Sequence, residues 1–421
     1  MHPISVWAPL ERVLFRFAFP FFMLYVCVFN NGAYSFFYTV FEYLMGAMHV
    51  ITPWVAGHIL HLPQRITIFT NGSGDTTYDY VSLLIIFVLA ILVALIWSIA
   101  GRKSKSYPRL YYWLTVALRY YVGLMLINYG FYKVFKSQFS SPGFYRLNET
   151  YGESSPMGLA WTFLGFSEGY NYFMGFAELM GALLLFRRTL AIGAFLSLMT
   201  CANVMAVNYF YDIPVKIVST SLVVMCLVLL LPYMRPLWQL FFQAKTVQLP
   251  SVHPPLSKKK WLRWTLTAVK SLMIFFVVAS SVNGAYEVMK QYGEHAKKPL
   301  LYGSYDVELI SPPKIPAADS VLWKRVAIDG ESAISVRLRN DEVKFYGLQV
   351  IPKKESTFYV SEQNRAVIFD GKYAQRKNGD LEITGTLDGQ NATMLLHMKR
   401  KADYTLTGRG FHWISEYPYN R

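Results

Sequence analysis

The stretch Val81–Ala100 is twenty residues long and contains no charged side chain. A helix that crosses a bilayer needs about 20 mainly apolar residues, so this stretch predicts a membrane span. Charged residues form only 16% of the chain and hydrophobic residues 53%, a balance that indicates lipid as part of the solvent. Similar apolar runs recur, and the sequence predicts about seven spans, near residues 13–30, 80–100, 113–133, 168–186, 189–209, 216–233 and 264–284.

The basic residues are concentrated in alternate connections between these spans. With seven spans, one side of the membrane receives Arg12, Arg16 and the clusters at 102–109, 187–188 and 258–263. Because basic residues accumulate in cytoplasmic loops, the sequence predicts a cytoplasmic N-terminus and a C-terminal domain on the opposite side. This topology also accounts for the formal net charge of +15. Membrane lipid is therefore the expected partner, and nucleic acid is not.

From about residue 300 onward, apolar and polar residues alternate with a period of two. The run Ala333–Leu338 is one example, and Asn378-Gly379 and Asp388-Gly389 provide turn chemistry between such runs. The pattern predicts about eight short strands in a sandwich or a small barrel. The predicted fold class is thus a multi-pass α-helical membrane protein with a small all-β C-terminal domain.

Charged side chains inside the predicted third and fourth spans are the strongest candidates for a site. Gly123, Gly130 and Lys133 lie within about 40° of Arg119 on a helical wheel, and Glu178 lies near the middle of the next span. Small residues let a neighbouring helix approach closely, and ionisable groups in a span face the bundle interior or a wet cavity. Two interpretations are open. One is an ion-pair network that fixes helix register. The other is a binding site for an anionic or quinone-like group, in which Glu178 handles protons.

Polar residues at the outer end of the predicted fifth and sixth spans are candidates for the rim of such a binding site. They are Asn203, Asn208, Asp212 and Lys216. The alternative is a capped helix start, because Pro214 suits the first turn of a helix and Asp212 lies just before it.

Two acids in a long outer loop form a further candidate. Asp75 and Asp79 are four residues apart, so a helix that begins at Thr76 would put both carboxylates on one face. There they could bind a divalent cation or a protein partner. The alternative is that Asp75 caps the second span and Asp79 interacts with its N-terminal dipole. The ligand spacings typical of a resident metal site do not occur, and no metal is predicted.

One motif carries a resemblance to a known family. The pattern Arg119-x3-Gly123-x6-Gly130-x2-Lys133, followed by Glu178-x2-Gly181 and a basic turn, resembles the DoxX-like membrane protein family. The extra helices and the β domain resemble the longer members from Bacteroidetes-like bacteria. The resemblance implies a bacterial inner-membrane protein, with the β domain in the periplasm.

With this resemblance the chain divides into five parts. They are a membrane region with two spans and a long outer loop (1–112), a DoxX-like four-helix unit (113–233), a basic cytoplasmic linker (234–263), a last span (264–290) and a β-rich periplasmic domain (300–421).

The resemblance implies more about architecture than about chemistry. Some members of the family are subunits of quinone-linked oxidoreductases, which makes a quinone the candidate cofactor and a redox or envelope subunit the candidate partner. The spans contain no histidine pair for haem, and the three cysteines, Cys27, Cys201 and Cys226, lie in apolar stretches without a C-x-x-C motif. No P-loop, dinucleotide-binding or serine-hydrolase motif occurs at a convincing position. Whether the protein is an enzyme stays open.

Two functions follow as hypotheses. In the first, a DoxX-like inner-membrane protein binds a quinone or another lipophilic small molecule near Glu178 and Lys133, as part of envelope redox chemistry. In the second, a non-catalytic membrane-anchored envelope protein binds a protein partner through its periplasmic β domain. A closed Lys133–Glu178 ion pair in tightly packed helices would favour the second hypothesis. An open, aromatic-walled pocket would favour the first.

Overall fold

The computed structural model describes residues 7–34, 36–64, 66–68, 73–250, 259–293, 296–311, 318–351, 356–362 and 366–420. The chain forms two compact units. The first, helical unit comprises Met1–Phe139 and Glu168–Met289, and the second, β-rich unit comprises Ser140–Ser167 and Lys290–Arg421. The second unit therefore contains a segment that the sequence analysis had assigned to the four-helix part.

The helices of the first unit account for most of its described residues. They are α1 (Pro9–Val28), α2 (Phe37–His58), α3 (Thr77–Ala100), α4 (Pro108–Val134), α7 (Glu168–Leu179), α8 (Leu190–Phe210), α9 (Lys216–Gln243) and α10 (Lys260–Tyr292). The last three residues of α10 belong to the second unit, as do the two short helices α5 (Phe144–Asn148) and α6 (Pro156–Phe166). A 3₁₀ segment, Met180–Leu185, continues α7. The shared core of this unit is rich in aromatic and aliphatic side chains, with Tyr25, Tyr121 and Met225 among the most buried.

Five of the described helical segments are long and apolar enough to cross a membrane: Thr77–Ala100, Pro108–Val134, Arg187–Phe210, Lys216–Gln243 and Lys260–Tyr292. These correspond to five of the seven predicted spans and confirm a multi-pass helical membrane part. The other two predicted spans are helical but different in character. Helix α1 carries three charges, on Glu11, Arg12 and Arg16. The predicted span 168–186 changes from α-helix to 3₁₀-helix at Met180.

The second unit contains a closed antiparallel barrel of eight strands in sequence order. The strands are β1 (Gly303–Ser311), β2 (Trp323–Gly330), β3 (Ala333–Leu338), β4 (Val343–Ile351), β5 (Thr357–Ser361), β6 (Val367–Gln375), β7 (Leu381–Leu387) and β8 (Gln390–Lys399). Strand β8 pairs with β1 and closes the sheet. The prediction of an all-β domain with about eight strands is confirmed, and of the two predicted forms the structure has the barrel.

The turn between β7 and β8 shows how local sequence sets the register of this barrel. Leu387 pairs with Gln390, which leaves a two-residue loop. Asp388 and Gly389 have φ angles of 49° and 78°, as a type I′ turn requires, and this turn matches the twist of the flanking strands.

The barrel interior is filled with side chains. Trp323, Phe358 and Phe369 are completely buried and pack against one another, and Tyr305 lies in the same core. Eight-stranded barrels either fill their interior in this way or hold one small ligand. Ligand-sized cavities of this unit are therefore to be sought outside the barrel.

Candidate functional site

Lys133 and Glu178 form a closed, buried ion pair between α4 and α7. The Lys133 Nζ atom lies 2.8 Å from both Glu178 carboxylate oxygens and 2.9 Å from Gln138 Oε1. Both charged residues are buried, with exposed fractions of 5% and 3%. An ammonium group has three donors, and all three are used. No donor of Lys133 is left for a ligand.

The helices around this pair are in close contact through glycines. A Cβ atom built on Gly130 would lie 3.0 Å from the Gly175 carbonyl oxygen and 2.9 Å from Leu179 Cγ. One built on Gly123 would lie 3.0 Å from the Gly181 carbonyl oxygen. Only glycine permits this approach, and the prediction that the glycine stripe lets a neighbouring helix pack closely is confirmed. The two helices thus exclude a cavity along their contact line.

Arg119 lies at the other end of the same stripe and does not reach Glu178. Fourteen residues of α-helix separate it from Lys133, a rise of about 21 Å. Its Nη2 atom donates to the Leu185 carbonyl oxygen at 2.8 Å, at the end of the 3₁₀ segment. The structure therefore brings together only two of the three predicted charges, and of the two cations it is Lys133 that pairs with Glu178. A cation at a helix C-terminus is favourable because the free carbonyl groups carry partial negative charge.

Two residues of these networks were missed by the sequence analysis. Gln138 returns to Lys133 because Lys136, at φ 53°, turns the chain just after α4. Lys270, in α10, donates to the same Leu185 carbonyl oxygen as Arg119, at 2.9 Å. A lysine inside an apolar run is itself a signal of a polar partner, and that signal could have identified Lys270.

The four residues predicted as a rim do not converge on a common site. Asn203 is exposed on α8. Asn208 is buried, and its Nδ2 atom lies 3.4 Å from the Val215 carbonyl oxygen. Asp212 and Lys216 form an exposed pair at 2.9 Å. Asn208, Asp212 and Lys216 thus serve the connection between α8 and α9, and this geometry agrees with the alternative of an ordered helix start.

Asp75 and Asp79 are separated by their roles in two different helices. Thr76 is the N-cap of α3, and its backbone N–H and hydroxyl group both donate to Asp79 Oδ2, at 2.9 and 2.6 Å. The Asp75 carboxylate accepts from the backbone N–H groups of Lys216 and Ile217, at 2.6 and 2.9 Å. Asp75 therefore caps α9, and the expectation that it caps the second span is wrong. Each carboxylate is occupied by a different helix start, so they do not form a shared site.

In the second unit, the segment Ser140–Ser167 packs on the barrel. The backbone N–H groups of Phe144 and Tyr145 each donate to the Asp329 carboxylate at 2.8 Å, so this acid of β2 caps the short helix α5 (Phe144–Asn148). The Phe144 side chain is buried beside Tyr404 and Ala327. These contacts make the segment an integral part of the β-rich unit.

A second set of contacts fixes the same segment further along. Arg337 of β3 donates to both carboxylate oxygens of Glu153, at 2.9 and 2.7 Å. The Arg337 guanidinium, together with backbone and side-chain donors of Thr150, holds the pKa of Glu153 at about 2, below its usual 4.5. Asn148 donates to Ser304 and accepts from the Tyr404 hydroxyl group. A charged group and two neutral ones thus clamp the segment to the barrel wall.

A histidine on the barrel surface joins two acids. His397 of β8 lies 2.8 Å from Glu308 Oε2 and 3.2 Å from Asp380 Oδ2. The hydrogen bond to Glu308 raises the pKa of His397 above 6.5, against a smaller opposing effect of burial. Burial raises the pKa of Asp380, but hydrogen bonds from the Met398 backbone, Asn378 and His397 outweigh it and lower that pKa overall.

A ligand-sized cavity lies in the second unit. It has a volume of about 600 Å³. Four lysines line it, Lys290, Lys297, Lys298 and Lys401, together with the acids Asp329 and Glu331. Four lysines against two acids give the described lining residues a positive balance, and the Asp329 carboxylate already accepts two backbone N–H groups. A smaller cavity of about 310 Å³ lies between the docked segment and residues 404–406.

Comparisons with known proteins give one partial match. The chain is 48% identical over 73 residues to the uncharacterized protein YwoB of Bacillus subtilis (strain 168). This match covers 17% of the chain and 47% of that protein. The chain therefore spans about half the length of the curated relative that it matches. No family model and no solved structure matches the chain. The resemblance to the DoxX-like family stays a prediction.

Proposed function

We propose that the protein is a membrane-anchored envelope protein whose β-rich unit binds a protein partner, while the helical unit serves as the anchor. The lysine-lined cavity of the second unit carries this proposal. Interfaces between proteins use complementary charge to select partners and to increase the association rate. With four lysines against two acids among its described lining residues, this cavity is suited to an acidic segment of the partner.

The state of the buried charges in the helical unit also supports the proposal. Lys133, Glu178 and Gln138 satisfy one another in tightly packed helices, which is the arrangement expected of a structural brace. A quinone or another lipophilic ligand at this pair would have to displace Gln138 and separate α4 from α7. Binding of such a ligand as part of envelope redox chemistry, and a catalytic role for Glu178, stay predictions that this geometry does not favour.

The cellular setting is part of the same proposal. We place the protein in a bacterial plasma membrane, with a cytoplasmic N-terminus and the β-rich unit on the opposite side. The distribution of basic residues supports this topology, and the partial match to a Bacillus subtilis protein supports a bacterial origin.

Site-specific photo-crosslinking in intact membranes tests the proposal. A photoreactive phenylalanine replaces Tyr292, which lines the cavity and is 75% exposed. A control position is Phe275 in the apolar part of α10, 72% exposed. We expect a discrete protein adduct from position 292 and only lipid adducts from position 275. Lys297→Gln with Lys298→Gln removes the protein adduct, whereas the exposed control pair Lys372→Gln with Lys377→Gln leaves it.

The opposite results would contradict the proposal. These are a protein adduct that is equally strong in both double variants, or one that forms at position 275 alone. Insertion and folding of each variant are checked by its yield as a monodisperse peak after extraction in mild detergent.

A further inference from the structure

Two cations converge on one carbonyl group in the helical unit. Arg119 Nη2 and Lys270 Nζ lie 2.8 and 2.9 Å from the carbonyl oxygen of Leu185. One neutral oxygen therefore accepts hydrogen bonds from two cations on different helices, α4 and α10. Arg187 and Arg188 lie two and three residues after Leu185 in sequence, and both are exposed. We call these four residues the Arg119–Lys270 cluster.

Arg119 and Lys270 have no carboxylate partner among the residues that the structure describes. In the ranges that the structure describes, neither Arg119 nor Lys270 forms an ion pair, and the buried Arg119 Nε atom has no hydrogen-bond partner. Arg119 is 3% exposed. The contrast with Lys133 is direct, because Lys133 has both a carboxylate and an amide oxygen. A buried charge without a counter-charge is costly, and so is the repulsion between two cations in a medium of low dielectric constant.

Aromatic rings orient the two cations but do not neutralise them. Lys270 Nζ lies 5.6 Å from the ring centroid of Tyr120 and 5.4 Å from that of Phe186. Arg119 Cζ lies 5.3 Å from the Tyr120 ring. Such contacts add a modest attraction to the ring face. The ammonium group of Lys270 is thus held in place while the net charge of the cluster is unchanged.

The cluster is open on the side where lipid would lie. Lys270 is only partly buried, and Phe186 is 55% exposed. One helical turn before Lys270, Leu266 presents an exposed apolar side chain. A ligand with an anionic group and a long apolar part could contact the cations and this apolar surface at once. Phospholipids have this combination, and basic groups between spanning helices are known to bind their headgroups.

We propose that the Arg119–Lys270 cluster binds the phosphate group of an anionic phospholipid. Lys270, Arg187 and Arg188 contact the phosphate oxygens. The positive charge of the buried Arg119 attracts the anion from the interior of the helical unit. The proposal concerns the helical unit alone and does not depend on partner binding by the β-rich unit.

Lipid retention by the purified full-length protein tests this site. The protein is reconstituted in nanodiscs of phosphatidylcholine with a minor fraction of phosphatidylglycerol, and bound lipid is measured by native mass spectrometry after transfer to detergent. We expect preferential retention of phosphatidylglycerol. One basic residue at a membrane surface contributes about 1 kcal/mol, so Lys270→Gln should lower retention about fivefold. The matched control Arg263→Gln removes an exposed cation of the same helix outside the cluster and should have little effect.

Two further arms decide what the cluster recognises. Titration with inorganic phosphate should displace phosphatidylglycerol only if the phosphate group alone is recognised, and a failure of displacement would assign the lipid as the required source. Arg119→Lys keeps the buried charge and should retain phosphatidylglycerol better than Arg119→Gln. Equal retention of phosphatidylglycerol and phosphatidylcholine, or identical retention by the Lys270→Gln and Arg263→Gln variants, would overturn the proposal.

Discussion

The two units of this protein treat charge in opposite ways. In the helical unit, Lys133 and Glu178 are buried and satisfy each other. In the β-rich unit, most ion pairs lie at the surface, and a cavity of about 600 Å³ is lined by four lysines. An unpaired charge in apolar surroundings has a high free-energy cost. A charge exposed to water has a low one, because water solvates it. We infer that paired charges in the helical unit serve its structure, and that surface charges of the β-rich unit can take part in recognition.

The largest effect is expected from breaking the buried pair on one side. Lys133→Met leaves Glu178 without its counter-charge, and removal of one partner of a buried pair costs about 3–5 kcal/mol. The free energy of unfolding of the full chain in detergent measures this loss. Lys216→Met at the exposed Asp212–Lys216 pair is the control, with an expected loss below about 1 kcal/mol.

The double variant Lys133→Met with Glu178→Met tests whether the ion pair acts only as a structural brace between α4 and α7. Because no charge is left unpaired, it should recover most of the stability that the single variant loses. A double variant as unstable as the single one would show that the pair does more than balance charge.

The second prediction concerns the close packing of α4 and α7. Gly130→Ala places a Cβ atom 3.0 Å from the Gly175 carbonyl oxygen, which the backbone cannot avoid by a side-chain rotation. Overpacking of this kind costs about 1–3 kcal/mol, again measured as a free energy of unfolding. Gly46→Ala is the control, because a Cβ atom there meets nothing within 4 Å. An unchanged stability for Gly130→Ala would show that the two helices can separate without cost.

The third prediction moves to the β-rich unit. Asp329→Ala removes the acceptor for the Phe144 and Tyr145 backbone N–H groups, and loss of such a cap costs about 0.5–2 kcal/mol. Limited proteolysis of the full chain should then cut within residues 140–167 sooner than in the unaltered protein. Asp370→Ala, at an exposed position of β6, should leave the cleavage pattern unchanged. Equal cleavage rates in the two variants would contradict the assigned role of Asp329.

The smallest effect is expected from pH. The pKa of His397 is raised by Glu308 and Asp380, so the charged imidazolium stabilises the folded barrel. This contribution is complete below pH 6.5 and is lost as the pH rises through the raised folded-state pKa. Thermal unfolding between pH 6 and 8 should show a decline that His397→Asn reduces. A variant with the same pH dependence as the unaltered protein would assign the decline to other groups.

The sequence predicted those features that depend on periodicity and local chemistry. The alternation after residue 300, the Asp388-Gly389 turn and the Gly123–Gly130 stripe all leave a pattern in a short window. Contacts between distant residues leave none. The Asp75 carboxylate caps a helix that begins 141 residues later, and Lys270 joins Arg119 from another helix. The interruption of α7 at Met180 also went unpredicted, because the residues from Leu179 to Phe186 are all apolar.

The docked segment Ser140–Ser167 has a consequence for how the protein is made. It is synthesised more than a hundred residues before β1, and α7, α8, α9 and α10 come between them. The ribosome therefore exposes the Asp329-binding helix α5 long before its partner strand exists. The β-rich unit can complete its fold only after every intervening helix has been synthesised and inserted. Its folding therefore depends on the correct insertion of all the helices between its two parts.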